Sequence, residues 1–343
     1  MASQRIVAVQ DQPAVLRRGG GPLLGLRELT LIPVIVLVVV IGAFASDAFL
    51  TTENFLNILQ QSSELSVVVI AETLILLAGK FDLSLESVVG LAPMLGAWLI
   101  IKNVEIGGSG VGLAWWLAIP VVLMTGAVVG AVNGFLIVRL RLNAFIVTLA
   151  MLILLRGVQL GTTSGKTLFD LPAGYLYLGS GKWIGIPVSI WIAGILYIVF
   201  GLFLRYHRLG RALYAIGGNA KAARVAGVRV DRVLWGTFIV AGMLAALAGL
   251  MLTGRIASVV PSQGQNMIFY VFAAAVIGGI SLNGGKGRLM GALTGVLLLG
   301  ILQNVLTLAE IPAFWIDAVY GAIILIALVV SWATGGHAEE EEV

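Results

Sequence analysis

Residues 205–232 read RYHRLGRALYAIGGNAKAARVAGVRVDR. The stretch holds seven basic residues (Arg205, Arg208, Arg211, Lys221, Arg224, Arg229 and Arg232) and one acid, Asp231. Long apolar runs flank it on both sides. Lys and Arg in short loops between spans stay in the cytoplasm, so this loop sets the expected orientation of the chain. Gly217-Gly218-Asn219 reads as a tight turn, because Gly and Asn tolerate left-handed backbone. Residues 220–226 (AKAARVA) are strong helix formers, and Gly227 stands where that helix should end. A short helix held at the cytoplasmic face suits a membrane subunit that docks a soluble partner.

The composition agrees. The 343 residues are 59% hydrophobic and 11% charged, whereas a soluble domain is about 45–50% apolar and about 25% charged. The reading is an all-α, polytopic integral membrane protein. Spans of about 20 residues leave room for about ten of them and for no soluble catalytic domain. With no Cys and only two His, thiol chemistry is excluded and a histidine metal site is not expected. The net charge of +4 belongs to the basic loops and is not read as nucleic-acid binding. No cofactor is expected.

Outward from the basic segment, the chain divides into a polar tail at 1–28, a membrane domain at 29–333 and an acidic tail at 334–343. The apolar run 29–45 is expected as a retained first span. Its end, Ala43-Phe44-Ala45, also fits a signal-peptide cleavage site, but the polar leader is long for that. Residues 51–64 are amphipathic and either lie along the interface or start the second span. Further spans are expected at 65–78, 85–101, 113–138, 143–160, 188–204, 233–254, 268–283, 289–308 and 314–333. Gly126, Gly130 and Gly134 share one face of the fourth, a close-packing stripe. Arg156 is expected to snorkel. Tyr175, Tyr177 and Trp183 in the loop 161–187 form an interfacial aromatic signature.

Charge placement tests this topology. With both termini inside, the inner side carries 16 of the 21 Lys and Arg: Arg5, Arg17, Arg18, Arg27, Lys80, Arg139, Arg141, the seven of the basic segment, Lys286 and Arg288. The outer side carries four: Lys102, Lys166, Lys182 and Arg255. That asymmetry is what the positive-inside rule requires.

Three stretches then carry a resemblance. They are Gly79-Lys80-Phe81-Asp82-Leu83-Ser84; Arg208-Leu209-Gly210-Arg211 through Ala215-Ile216-Gly217-Gly218-Asn219 to Ala222-Ala223 and Gly227; and Gly278-Gly279-Ile280-Ser281-Leu282-Asn283-Gly284-Gly285-Lys286-Gly287-Arg288 with Gly291. Over roughly residues 50–330 the chain resembles the permease subunits of bacterial ABC importers for monosaccharides, the ribose and xylose type. It departs from them at Lys80 and Phe81, where the family usually has Gly and Ile. The resemblance implies a multi-pass protein of the bacterial inner membrane, paired with a second permease copy. It also implies an ATP-binding subunit beneath and an extracytoplasmic sugar-binding protein above. Gly217, Gly218, Asn219, Ala222, Ala223 and Gly227 then correspond to the helix that couples to the ATPase. The chain has no phosphate-cradling G-x-x-x-x-G-K-[ST] of its own, so it is not read as an enzyme.

Glu72, Asp82, Ser84 and Glu86 are the candidate gating or pathway residues, since ionisable groups in spans are costly and usually functional. The competing reading puts Lys80 and Asp82 in water at the cytoplasmic edge, with Asp82 or Ser84 capping the next helix. Gly278-Gly279 is read as a tight turn in preference to an unwound helix. Asn133, Asn143, Gln159 and Asn304 are read as glue between helices as readily as ligand contacts. Cargo other than a monosaccharide stays open: a sugar alcohol, a nucleoside or a branched-chain amino acid. An ion-coupled secondary transporter would need buried acids, of which only Glu72 is a fair candidate, and a membrane enzyme lacks any catalytic constellation.

Overall fold

The computed structural model describes residues 31–312, together with 314–316, 318–322 and 325. The expected tails at 1–28 and 334–343, and most of the expected tenth span, lie outside the described residues. In chain order the helices are α1 (Leu31–Ala45), α2 (Thr52–Leu77), α3 (Leu85–Ile100) and α4 (Trp115–Gly134). They continue with α5 (Ala144–Thr163), α6 (Ala173–Ser180), α7 (Val188–Tyr206), α8 (Arg208–Val225), α9 (Val230–Ile256), α10 (Met267–Ile277) and α11 (Leu289–Leu308). A two-residue hairpin, β1 (Lys182–Trp183) against β2 (Ile186–Pro187), joins α6 to α7. Among the described residues, α2, α4 with its following π-turn Phe135–Arg139, α5, α7, α9 and α11 are long and apolar enough to cross a membrane. Helices α1, α3 and α10 are apolar but shorter.

Helix α2 is the axis of the bundle. Of its most apolar stretch 78% is buried, against 28% for α5 and for α7. The reason is its sequence. Ser62, Ser63, Glu64, Ser66, Glu72 and Thr73 are all buried, and polar side chains in a span must face protein, not lipid. The expectation of an interfacial segment at 51–64 resolves to its alternative. Thr51 caps a single helix through 77, accepting the Asn54 N–H at 3.3 Å.

The glycine stripe of α4 packs on α9 as the spacing predicts. A side chain at Gly126 would strike the Gly242 carbonyl, one at Gly130 the Phe238 carbonyl, and one at Gly134 the Trp235 ring. Gly242 is bound reciprocally, by the Gly126 carbonyl. Backbone meets backbone here, and no larger residue fits.

Four local readings need correction. The basic segment is not a turn followed by a helix. Helix α8 begins at Arg208, with the His207 ring nitrogen Nδ1 accepting the Leu209 N–H at 3.2 Å. It runs through Gly217 and Gly218 and breaks only at Asn219 (φ −162°, ψ 100°). Asn219 restarts the helix by accepting the Ala222 N–H at 2.9 Å. Arg156 does not snorkel; it bonds Glu86 at 3.2 Å. Tyr175 is fully buried, donating to the Pro93 carbonyl at 2.7 Å, so of the three aromatics only Tyr177 and Trp183 sit at the surface. The expected eighth span is a half-helix. Eleven residues of α10 rise about 16 Å, about half the hydrocarbon thickness.

What precedes α10 explains its length. Residues 259–266 fold inward, pinned to the loop before α6 by the Leu168–Val259 bridge. Gln263, at the tip, is buried, and its amide donates to the Val89 carbonyl (3.1 Å), the Gly249 carbonyl (3.2 Å) and Thr253 Oγ1 (3.0 Å). Irregular backbone is tolerated at such depth only when protein satisfies its polar groups.

Gly130→Leu is expected to lower stability in mild detergent by about 3 kcal/mol, because the Phe238 carbonyl cannot yield. Gly157→Leu, where nothing lies within reach, is expected to leave the melting midpoint unchanged. Thermal unfolding of the two purified variants checks this.

Candidate functional site

All three motif stretches meet at one end of the bundle, the end that carries the basic loops. Helix α2 closes with Gly79 in left-handed backbone (φ +68°), and the Lys80 N–H returns to the Ile75 carbonyl at 3.1 Å. The Leu77 carbonyl, left over at that helix end, accepts the Gly285 N–H at 2.9 Å. A side chain on Gly217 would collide with that same carbonyl and with the Gly285 nitrogen. One on Gly284 would come within 2.7 Å of Gly79, and one on Gly285 within 2.6 Å of Gly218. Gly284 and Gly285 are themselves left-handed, at φ +85° and +69°. Chain segments from three distant places thus touch backbone to backbone. Tyr214 closes the junction by donating to the Gly287 carbonyl at 3.1 Å. Burial holds its phenol above the ordinary value, against the nearby Arg288, so it stays a neutral donor.

Beyond the junction the second half of α8 points away from the bundle. Ala223 is buried, whereas Gly218, Asn219 and Ala222 are exposed and Val225 is 91% exposed. Gly227, at φ +85°, ends the helix as expected, and the next N–H, of Val228, reaches back to the Ala223 carbonyl at 3.0 Å. Gly217 therefore serves contact within the chain. The outward face belongs to Gly218, Ala222 and Val225. The sequence gives no sign of Val225, because inward and outward faces of so short a helix are not separable by periodicity.

The acids are brought together in two clusters. Asp82 is fully buried, so its placement in water at the cytoplasmic edge is overturned. Its carboxylate accepts the Ser84 N–H at 2.9 Å and the Ser84 hydroxyl at 2.6 Å. Asn133 Nδ2 donates to Ser84 Oγ at 2.8 Å and lies 3.4 Å from Asp82 Oδ2. Capping therefore passes through Asp82; the Ser84 hydroxyl makes no cap bond to α3. Glu72 Oε1 faces the Asp82 N–H at 3.4 Å, and Glu72 Oε2 has no hydrogen-bond partner among the described residues. Glu86 stands apart in the second cluster. Its Oε1 takes Arg156 and its Oε2 accepts the Ile268 N–H at 3.3 Å. A carboxylate at the first turn of α10 complements the helix dipole.

A further charged pair is absent from the sequence-based candidates. Arg255 grips Glu64 with two bonds, Nε at 2.7 Å and Nη2 at 2.9 Å. Opposite charges near the same end of two expected spans are the signal that would have found it. The four amides are mainly glue. Asn54 and Asn304 bond each other at 2.7 and 2.9 Å, Gln159 donates to the Pro261 carbonyl at 3.1 Å, and Asn143 caps α5.

A many-spanning helical bundle with charge pairs buried inside, a half-helix and a protruding basic helix has the architecture of a transport permease. Residues 54–328 match the family described as "Branched-chain amino acid transport system / permease component", and the chain belongs to that family. It is 34% identical over 307 residues to the ribose import permease protein RbsC of Haemophilus influenzae, covering 88% of this chain and 92% of that one. It is 36% identical over 310 residues to the protein of the same name in Bacillus subtilis (90% and 91%). It is 33% identical over 282 residues to the L-arabinose ABC transporter permease protein AraH of Azospirillum brasilense (82% and 80%). No solved structure matches the chain.

Gly217→Val is expected to cost about 2 kcal/mol or more, a backbone clash at a buried junction. Gly218→Ala, with open space around it, is expected to be silent. Melting curves of the two purified variants distinguish them.

Proposed function

We propose that this chain is the membrane permease subunit of an ATP-driven importer that carries a monosaccharide across a bacterial inner membrane. The observation that carries the reading is the protruding end of α8. It offers Gly218, Ala222 and Val225 to the side where the basic loops collect. A side chain 91% exposed and apolar, on a helix held rigidly by a glycine junction, is suited to a cleft in another protein. The basic end is the cytoplasmic one, so that protein is the ATP-binding subunit. The junction ties its movement to α2 and to the turn after α10. Asp82, Ser84, Glu72 and Asn133 sit just above, at the base of α3, where a shift of α2 would be felt first. Glu86 and Arg156 hold the half-helix α10 in the middle of the bundle. Both clusters are the gating elements of this reading. A second permease copy beside this one and an extracytoplasmic sugar-binding protein complete the transporter. The sugar assignment follows the names of the relatives, ribose and L-arabinose permeases.

One observation favours an ion-coupled carrier instead: Glu72 has a buried companion acid in Asp82, where the sequence offered Glu72 alone. Energy source separates the two.

Val225→Glu and Ala222→Glu are expected to abolish co-purification of the ATP-binding subunit while leaving the permease folded. Ala223→Glu is unsuitable for this test, because Ala223 is buried. In membrane vesicles, uptake by wild type is expected to require ATP, survive a protonophore, and fall at least about tenfold in Val225→Glu. Uptake that follows the proton gradient overturns the reading.

A further inference from the structure

A cavity of about 310 Å³ opens at the end of the bundle opposite the basic loops. Its walls are the first half of α2, the last turns of α9, the second half of α11, the loop 260–265 and the start of α10. Its position follows from α9, which leaves the basic segment at Val230 and reaches Arg255 after about 37 Å of helix. The volume lies at the lower end of small-ligand sites, roughly 300–1,000 Å³.

The polar part of the lining lies at the exposed mouth of this space. Gln61, Gln265 and Gln303 all face this one space. Their carboxamides make no hydrogen bond with the described residues, whereas nearby Gln263 has its amide committed to three acceptors. Beside them lies the Glu64–Arg255 pair. Both Glu64 oxygens are taken by the guanidinium, and Arg255 Nη1 bonds none of the described residues. Tyr270 and Leu299 add apolar wall.

The chemistry of this set discriminates. Three uncommitted carboxamides both donate and accept, as a polyol's hydroxyl groups do. The charged pair is neutral as a unit. Its acid is already neutralised by the guanidinium, so the pair offers no net charge to the ammonium or the carboxylate of a zwitterionic amino acid. Desolvating an unpaired charge is far more costly than desolvating a hydroxyl that finds a partner. Apolar wall beside the amides suits the C–H faces of a sugar ring.

We propose that this cavity is where cargo enters the membrane domain, and that Gln61, Gln265, Gln303 and the Glu64–Arg255 pair select an uncharged polyhydroxylated solute. The inference rests on the importer reading and gives its sugar cargo a place of entry. It sets the chain apart from the branched-chain amino acid carriers after which its family is described.

The chain contains no cysteine, so a single introduced thiol is a clean reporter. Gln303→Cys is reconstituted with the ATP-binding subunit in liposomes and treated from outside with a membrane-impermeant methanethiosulfonate. Ile184→Cys, 95% exposed at the hairpin turn, serves as the control. At position 303 modification is expected to lower uptake at least about tenfold. Binding protein loaded with the transported sugar is expected to slow it at least about threefold relative to unloaded binding protein. At position 184 neither effect is expected. A thiol at 303 that is modified without loss of uptake, or is unprotected by cargo, overturns the entry site. Wild-type uptake of leucine and of no sugar overturns both the neutral selection and the sugar reading. The same labelling, run with leucine, then decides the entry site separately.

Discussion

The hydrogen bond from Gly285 N–H to the Leu77 carbonyl, 2.9 Å long, ties together parts of the chain that lie more than 200 residues apart. It exists only because Gly79, Gly217, Gly284 and Gly285 present backbone without side chains. The helix end at Leu77 needs a donor for its leftover carbonyl. The turn after α10 supplies it, and α8 is laid across the contact. The central helix, the half-helix and the protruding basic helix thus share one rigid point. A bond between carbonyl and amide has a fixed length, so displacement of α8 must carry α2 or the 278–288 turn with it.

The interior follows a second constraint, that polar groups away from water need partners. Glu64 with Arg255, Glu86 with Arg156, and Asp82 with Ser84 and Asn133 each answer it by joining two elements. Such pairs add little net stability, because desolvation offsets most of the attraction, but breaking one is costly. They fix which helix lies beside which. An apolar bundle in lipid lacks that specification, since every leucine face fits every other about equally well.

Much of this was legible in the sequence. Apolar run length locates the six long helices, and the i, i+4 glycines of α4 give its packing face. Gly227 as a helix stop and Gly278-Gly279 as a turn follow from backbone preference alone. What escaped is non-local. Asp82 looks like an edge residue because Lys80 stands two positions away, and only Asn133, 51 residues on, makes a buried site for it. Tyr175 looks interfacial because its neighbours are. Gly217 looks like a turn former because Gly-Gly-Asn commonly is one; its glycine is required by the Leu77 carbonyl, which local propensity does not report. The inward fold at 259–266 has no signal except Pro261 and Gln263, which also suit an ordinary loop.

Helix α2 has a consequence for how the protein is made. It is the least apolar of the six long helices, yet it lies at the centre and is synthesised early. Its Glu64 has its guanidinium partner 191 residues further along the chain, and synthesis proceeds at about 5–20 residues per second. For roughly ten seconds or more the nascent chain therefore holds an acidic helix at the bilayer without its counter-charge. The early bundle must wait, sheltered at the insertion machinery or loosely seated in the headgroups, until α9 emerges and locks it in.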